Sequence, residues 1–228
     1  MQPGYSALGA EKGDAEMDRV STVEKVRGKV RVVLESGTQY LLLKSAWAER
    51  RLEPGQEVDE EELSRWVASR QYKSALEKSV AMLAARACSE GEIRTKLRRT
   101  GYAPETADRV IARLRKEGFV NDREFARQWA AGRTGMKYGP RRIAQELGMK
   151  GVARTDAEEA VSEIPEEEML ENAVLLARKA LSGAKAGEDP RKTRQRITAY
   201  VVRRGYDWDT AREACARVLK QEEDEWPE

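Results

Sequence analysis

Lys96-Leu97-Arg98-Arg99-Thr100-Gly101-Tyr102 decides the fold, because two later stretches repeat it: Glu146-Leu147-Gly148-Met149-Lys150-Gly151-Val152 and Tyr200-Val201-Val202-Arg203-Arg204-Gly205-Tyr206. The offsets are 50 and 54 residues, and the register holds on either side. Ile93, Ile143 and Ile197 form one column upstream; Ala107, Ala157 and Ala211, then Ile111, Val161 and Cys215, form two downstream. Self-similarity at this period is the signature of stacked supersecondary units. Such arrays present long binding surfaces rather than a catalytic pocket, so the chain poses the question of what it binds.

Working outward from the repeated segment, apolar spacing turns helical at Ser74. Leu76, Val80, Leu83 and Ala87 make one stripe, Ile93 and Leu97 a second, and Ala107, Val110, Ile111 and Leu114 a third, which predicts three helices per repeat. Ser89 to Glu92 and Thr155 to Glu158 fit capping boxes, and Pro104 suits a first helical position. Gly101, Gly151 and Gly205 recur where the second helix must stop, as left-handed cap residues do. Gly118 and Asn121-Asp122 punctuate the first junction. Phe125 and Trp129 supply a buried face in the second repeat, Gly132 to Gly139 reads as a loop, and the third repeat begins near Glu166. Ser182 to Pro190 is the longest internal loop, a candidate hinge. The limits read as 71–122, 123–165 and 166–220, followed by an acidic, irregular tail at 221–228.

Residues 1–18 lack periodicity and are expected to be disordered. Residues 19–70 form a separate small module. Its β-branched runs Val20–Val26, Lys29–Leu34 and Thr38–Leu43, divided by Arg27-Gly28 and Ser36-Gly37, predict a three-stranded antiparallel meander. After the Pro54-Gly55 turn, Asp59 caps a helix that opens with Glu60, Glu61 and Glu62 and runs to about Arg70, with Leu63, Trp66 and Val67 on one face. The expected architecture is mainly α: an elongated tandem array of three three-helix repeats, preceded by a small β-meander plus helix module.

Composition narrows the function. The formal net charge is +2, but it is unevenly spread: 11 basic and 13 acidic residues in 1–70, 19 and 9 in 71–155, and 12 and 18 in 156–228. A basic middle is the electrostatic footprint of a polyanionic or acidic-protein partner. The chain has no histidine, which excludes histidine-based triads and histidine-rich metal sites. Its two cysteines, Cys88 and Cys215, lack metal-ligand spacing, and Cys215 falls in a core column. There is no Walker-type phosphate loop, and no carboxylates pair in an apolar setting. No catalytic residue, metal or cofactor is expected. Lacking a membrane-length apolar run or a signal pattern, the protein is expected in the cytoplasm.

The second helix of each repeat is the basic one. The first carries Arg94, Lys96, Arg98 and Arg99. In the second repeat Arg133, Lys137, Tyr138, Arg141 and Arg142 cluster around Gly139-Pro140, and the third carries Arg194, Arg196, Arg203 and Arg204, with Arg191 and Lys192. Guanidinium groups fork onto carboxylates and phosphates, so these residues suit an acidic protein groove or a nucleic-acid backbone. No basic helix places Asn or Gln for base readout, which argues against sequence-specific DNA binding of the helix-turn-helix kind.

Three stretches carry a resemblance to a known family: YKSALEKSVAMLAARACSEGEIRTKLRRTGY, GFVNDREFARQW and KYGPRRIAQELGMKGV. In this order they resemble the RecX family, bacterial modulators of the RecA recombinase, over roughly residues 70–218. The resemblance implies tandem three-helix units that lodge in the groove of a RecA filament on DNA and restrain strand exchange and ATP turnover, in recombination and the SOS response. It implies a monomeric, non-enzymatic regulator that binds RecA, free or as a filament, with weak non-specific DNA binding at most. The competing reading from the residues is a general DNA-binding module that acts by competing for DNA. The third unit departs from the pattern with Asp207-Trp208 where the first has Ala103-Pro104, and Gly148-Met149 replaces Arg98-Arg99 in the second.

Overall fold

A computed structural model describes residues 17–26, 28–184 and 189–225, and within them four strands and ten helices. The strands are β1 (Met17–Val26), β2 (Lys29–Leu34), β3 (Gln39–Leu42) and β4 (Glu57–Asp59). They form an antiparallel sheet in the order β3-β2-β1-β4. The expected meander is present, extended by β4, which is too short for a sequence signal and pairs Asp59 with Met17. Met17 and Asp18, expected to be disordered, belong to β1; the remainder of that expectation lies outside the described residues. A register shift between Val20 and Thr22 brings Val23 opposite Val32 and Glu24 opposite Arg31. One sheet face therefore buries Val20, Val30, Val32, Leu34, Tyr40 and Leu42.

Helices α1 (Lys44–Glu49) and α2 (Glu60–Ala85) cover that face. The short α1 was not foreseen; it buries Ala46. Asp59 caps α2 as expected, accepting the Glu62 amide at 2.9 Å. The helix does not stop near Arg70, because no glycine or proline interrupts Arg70 to Ala85. Its first half packs Leu63 and Val67 into the sheet core, where full burial of each side chain contributes about 1.5–3 kcal/mol. Its second half belongs to the first three-helix unit. The buried positions there are Gln71, Ala75 and Ser79, not the apolar stripe read from the sequence; Val80 and Ala87 are exposed. Small residues occupy the buried side where α2 packs on α4 (Pro104–Lys116).

The second unit comprises α5 (Asp122–Gly135), α6 (Pro140–Met149) and α7 (Arg154–Ser162), and the third α8 (Glu166–Leu181), α9 (Pro190–Arg203) and α10 (Trp208–Glu225). With α3 (Glu90–Arg99) between α2 and α4, the three-helix pattern recurs three times. Ile93, Ile143 and Ile197 are fully buried, as are Leu97, Leu147 and Val201. Asn121 caps α5, and the Ser89–Glu92 capping box forms in both directions. The Thr155–Glu158 box does not form: α7 begins at Arg154, so Thr155 is already inside the first turn. Helix α5 reaches Gly135, shortening the expected Gly132–Gly139 loop; Lys137 then takes a left-handed φ of 59°. The expected irregular tail is helical through Glu225, while residues 185–188 of the proposed hinge loop and 226–228 lie outside the described residues.

By internal contacts the chain forms two compact units. One joins the sheet, α1, α2 and α4 with residues 93–99 of α3; the other joins residues 87–92 to the second and third three-helix units.

Candidate partner-binding surface

The repeated segment is a helix stop. At the end of α3 the Tyr102 amide donates to Leu97 O (3.2 Å) and the Gly101 amide to Arg98 O (2.9 Å); at the end of α6 Val152 and Gly151 repeat both bonds with Leu147 and Gly148. This is the Schellman arrangement, which needs a left-handed residue at the glycine. Gly101, Gly151 and Gly205 have φ of 81°, 77° and 101°.

Each glycine also permits a close approach that the sequence did not reveal. A Cβ on Gly205 would lie 2.4 Å from Arg142 Cβ, one on Gly151 2.8 Å from Gly91 Cα, and one on Gly101 2.4 Å from Leu41 Cβ. In the second compact unit the end of α9 sits on the start of α6. The Gly139 amide donates to Arg204 O (2.9 Å) and the Arg141 amide to Gly205 O (3.1 Å). Orphan amides of one helix thus satisfy orphan carbonyls of another. The same contact recurs where Ser89 Oγ donates to Lys150 O at 2.6 Å.

These junctions absorb several of the residues singled out for binding. Tyr138 is sandwiched by cations: Arg204 lies 4.0 Å from its ring centroid, Arg133 5.5 Å and Arg142 5.7 Å. Arg133 also stacks on Trp129 at 4.4 Å, and Lys150 covers the same indole at 3.9 Å while pairing with Glu92 at 2.8 Å. Trp129 itself stacks on Phe125, with centroids 6.0 Å apart. Partly buried contacts of this kind are worth about 1–2 kcal/mol each. Arg204 further donates to Met136 O.

Glu146 anchors the cluster. It is buried, pairs with Arg133 at 2.6 Å and accepts a hydrogen bond from Arg142 at 3.0 Å. Burial alone would push its carboxyl up, but the Arg142 hydrogen bond and the charges of both arginines outweigh it and hold the group below its ordinary value. The sequence places no carboxylate pair in an apolar setting, yet among the described residues Glu146 is buried. The signal was its position four residues after Arg142, between the buried Ile143 and Leu147. Accordingly Arg133, Tyr138, Arg142 and Arg204 hold the second and third three-helix units together. Arg196 likewise donates to Gly183 O (2.7 Å), and Arg94 pairs with Asp108. Lys137 is half-buried in the turn before α6.

Six of the expected residues remain exposed with no ion pair among the described residues: Lys96, Arg98 and Arg99 in the first compact unit, and Arg141, Arg194 and Arg203 in the second. The structure adds Lys29 and Arg31 on β2, which line a cleft with Arg98 and Arg99. Both lie in the run Lys29–Leu34, which the sequence marks only as a strand. The Asp207 departure is explained by its role in starting α10. It accepts the Thr210 amide at 2.8 Å, a bond that lowers its pKa. Among the described residues no helix is long and apolar enough to cross a membrane, and no group of three potential ligands is placed to hold a metal ion.

Three family models match the chain: "RecX, first three-helix domain" over residues 75–114, "RecX, second three-helix domain" over 121–161 and "RecX, third three-helix domain" over 166–215. A "Regulatory protein RecX" of Clostridioides difficile is 31% identical over 173 residues, covering 75% of this chain and 81% of that protein. One of Prosthecochloris aestuarii is 33% identical over 148 residues, covering 64% and 95%. Among solved structures, a crystal structure of regulatory protein RecX aligns with a TM-score of 0.60 at 21% identity, covering 88% of this chain and 99% of the other. RecX from Lactobacillus salivarius aligns at 0.59 and 21%, covering 67% and 97%. At that identity the two structures speak for the fold.

Proposed function

The chain belongs to the RecX family of regulatory proteins, and on that premise we propose that it binds the RecA recombinase and its filament on DNA. There it restrains strand exchange and ATP turnover during recombination and the SOS response. It acts in the cytoplasm as a monomer, by occupying a surface rather than by catalysis. The observation that carries this reading is the division of the arginines. One set is consumed in holding the three-helix units together, while Lys96, Arg98, Arg99, Arg141, Arg194 and Arg203 are exposed and carry no ion pair among the described residues. Leaving cations unpaired on a surface rich in carboxylates suits an acidic or phosphate-bearing partner.

The test is fluorescence anisotropy with labelled single-stranded DNA, bare or coated with RecA and a slowly hydrolysed nucleotide, at near-physiological salt. Tighter, saturable binding to the coated strand is expected, weakened in an Arg141→Glu/Arg203→Glu variant of unchanged helical content. Equal or tighter binding to bare DNA would replace filament recognition by competition for DNA.

A further inference from the structure

A cleft of about 320 Å³ opens in the first compact unit between the outer face of β2 and β3 and the end of α3. Its rim carries Lys29 and Arg31 from the sheet and Arg98 and Arg99 from the helix. No carboxylate lines it. Glu24 stands opposite Arg31 in the register, and its contact with Arg31 is loose at 3.7 Å and half-exposed. We infer that this cleft is a phosphate-binding site for the backbone of single-stranded DNA, built jointly by the N-terminal sheet and the first three-helix unit.

Three features favour this occupant. Lys29 and Arg31 are two residues apart on one strand face, about 6.7 Å along it, comparable with the separation of consecutive phosphates in an extended strand. Lys96, three residues before Arg99, continues the positive charge along α3 out of the cleft. The cavity lies at the lower end of the range for small-ligand pockets, about 300–1,000 Å³, enough for a nucleotide unit against the side chains of Val26 and Leu41. An acidic peptide fits less well. Extended peptides dock by adding a strand to an open sheet edge, and the free edge of β3 is closed. Leu41 O accepts Gln71 Nε2 at 2.8 Å, and Gly101 packs against the Leu41 side chain. Only side-chain charge is left for recognition, and guanidinium forks match phosphate oxygens.

The inference rests on the proposed function only in choosing DNA as the source of phosphate, and its test contains no recombinase, so the two fail separately. Full-length protein is titrated into labelled oligo(dT) across a salt series. Two variants are compared with the parent, Lys29→Gln/Arg31→Gln on the sheet wall and Arg98→Gln/Arg99→Gln on the helix wall. All four side chains lie outside the apolar cores, and unchanged thermal melts serve as the folding control. Each variant is expected to lower the magnitude of the salt slope by about 1.4, two contacts at about 0.7 each for a single strand. Between about 50 mM and about 200 mM salt that shrinks the parent's loss of affinity by about sevenfold. Arg154→Gln/Arg212→Gln, exposed in the other compact unit, is expected to leave the slope unchanged. An unchanged slope in the sheet-wall variant would overturn the site. So would displacement of the oligonucleotide by poly-glutamate at matched charge concentration or by inorganic phosphate at low millimolar levels, the first pointing to an acidic protein and the second to a free anion.

Discussion

Tyr102 and Tyr206 occupy the same place in the repeat, just after the glycine that ends the second helix, yet replacing each with phenylalanine is expected to move stability in opposite directions. The Tyr102 hydroxyl lies 2.9 Å from Ser74 Oγ, so Tyr102→Phe removes a hydrogen bond worth about 1 kcal/mol. The Tyr206 hydroxyl is buried with no hydrogen-bond partner among the described residues. A buried, unpaired hydroxyl costs about 1–3 kcal/mol, and Tyr206→Phe returns about 1 kcal/mol of that once relaxation is allowed for. The two variants should therefore differ by about 2 kcal/mol, or about 4–8 °C in Tm for a chain of this size. Urea denaturation followed by circular dichroism, with unchanged m, is the assay. Alkaline pH supplies a second reading. Burial pushes Tyr206 up to about 12, only partly opposed by the charge of Arg204. Because the folded value lies above the unfolded one, its contribution is complete below pH 10 and is lost as pH rises toward 12. The advantage of Tyr206→Phe should widen across that window. A Tyr206→Phe protein as destabilised as Tyr102→Phe would refute the assignment of an unpaired hydroxyl.

Gly205→Ala should cost about 3 kcal/mol or more, since strain at φ 101° adds to a clash with Arg142, whereas Gly37→Ala, with φ 89° and open space around it, should cost about 1–2 kcal/mol; thermal melts compare them. Glu146→Gln leaves Arg133 and Arg142 without their carboxylate and should cost about 2 kcal/mol at neutral pH, less than a fully buried pair because Arg142 is half-exposed. The native contribution is present above pH 4.5 and lost as pH falls through the depressed folded value, so parent and variant should converge in acid titrations of stability. Gln71→Leu unpairs the Leu41 carbonyl and the Ala103 amide, which Gln71 bonds at 2.8 and 2.7 Å; a cost of about 3 kcal/mol is expected in urea melts.

The three-fold repetition was legible because it rests on local rules. A left-handed glycine must close each second helix, and Ile93, Ile143 and Ile197 must face the core at helical spacing. What the residues did not disclose was long-range. Strand β4 has three residues and exists only because Met17 to Arg19 lie alongside it. The α2 stripe was misplaced by favouring large apolar residues, when close packing on α4 selects Ala75 and Ser79. For the candidate surface, composition pointed to arginines and lysines but could not separate cations that face solvent from those spent inside. Arg141 and Arg142 are adjacent in sequence; one is unpaired, the other bonds Glu146 and covers Tyr138. The Arg142–Glu146 spacing is local, but the closing of the cluster by Arg204, from more than sixty residues away in the chain, is encoded by no local pattern.

Helix α2 has a consequence for how the protein comes apart. Its 26 residues, about 39 Å of rigid rod, carry the sheet core on Leu63 and Val67 and the first three-helix unit on Ala75 and Ser79. The first of the matching family models begins at residue 75, the middle of that rod. A cut placed there would sever an intact helix and strip away Gln71, the side chain that ties Leu41 to Ala103. The sheet and the first three-helix unit therefore share one cooperative fate: their slowest amide protons should exchange together, and neither is a cassette that can be exchanged between proteins without its neighbour.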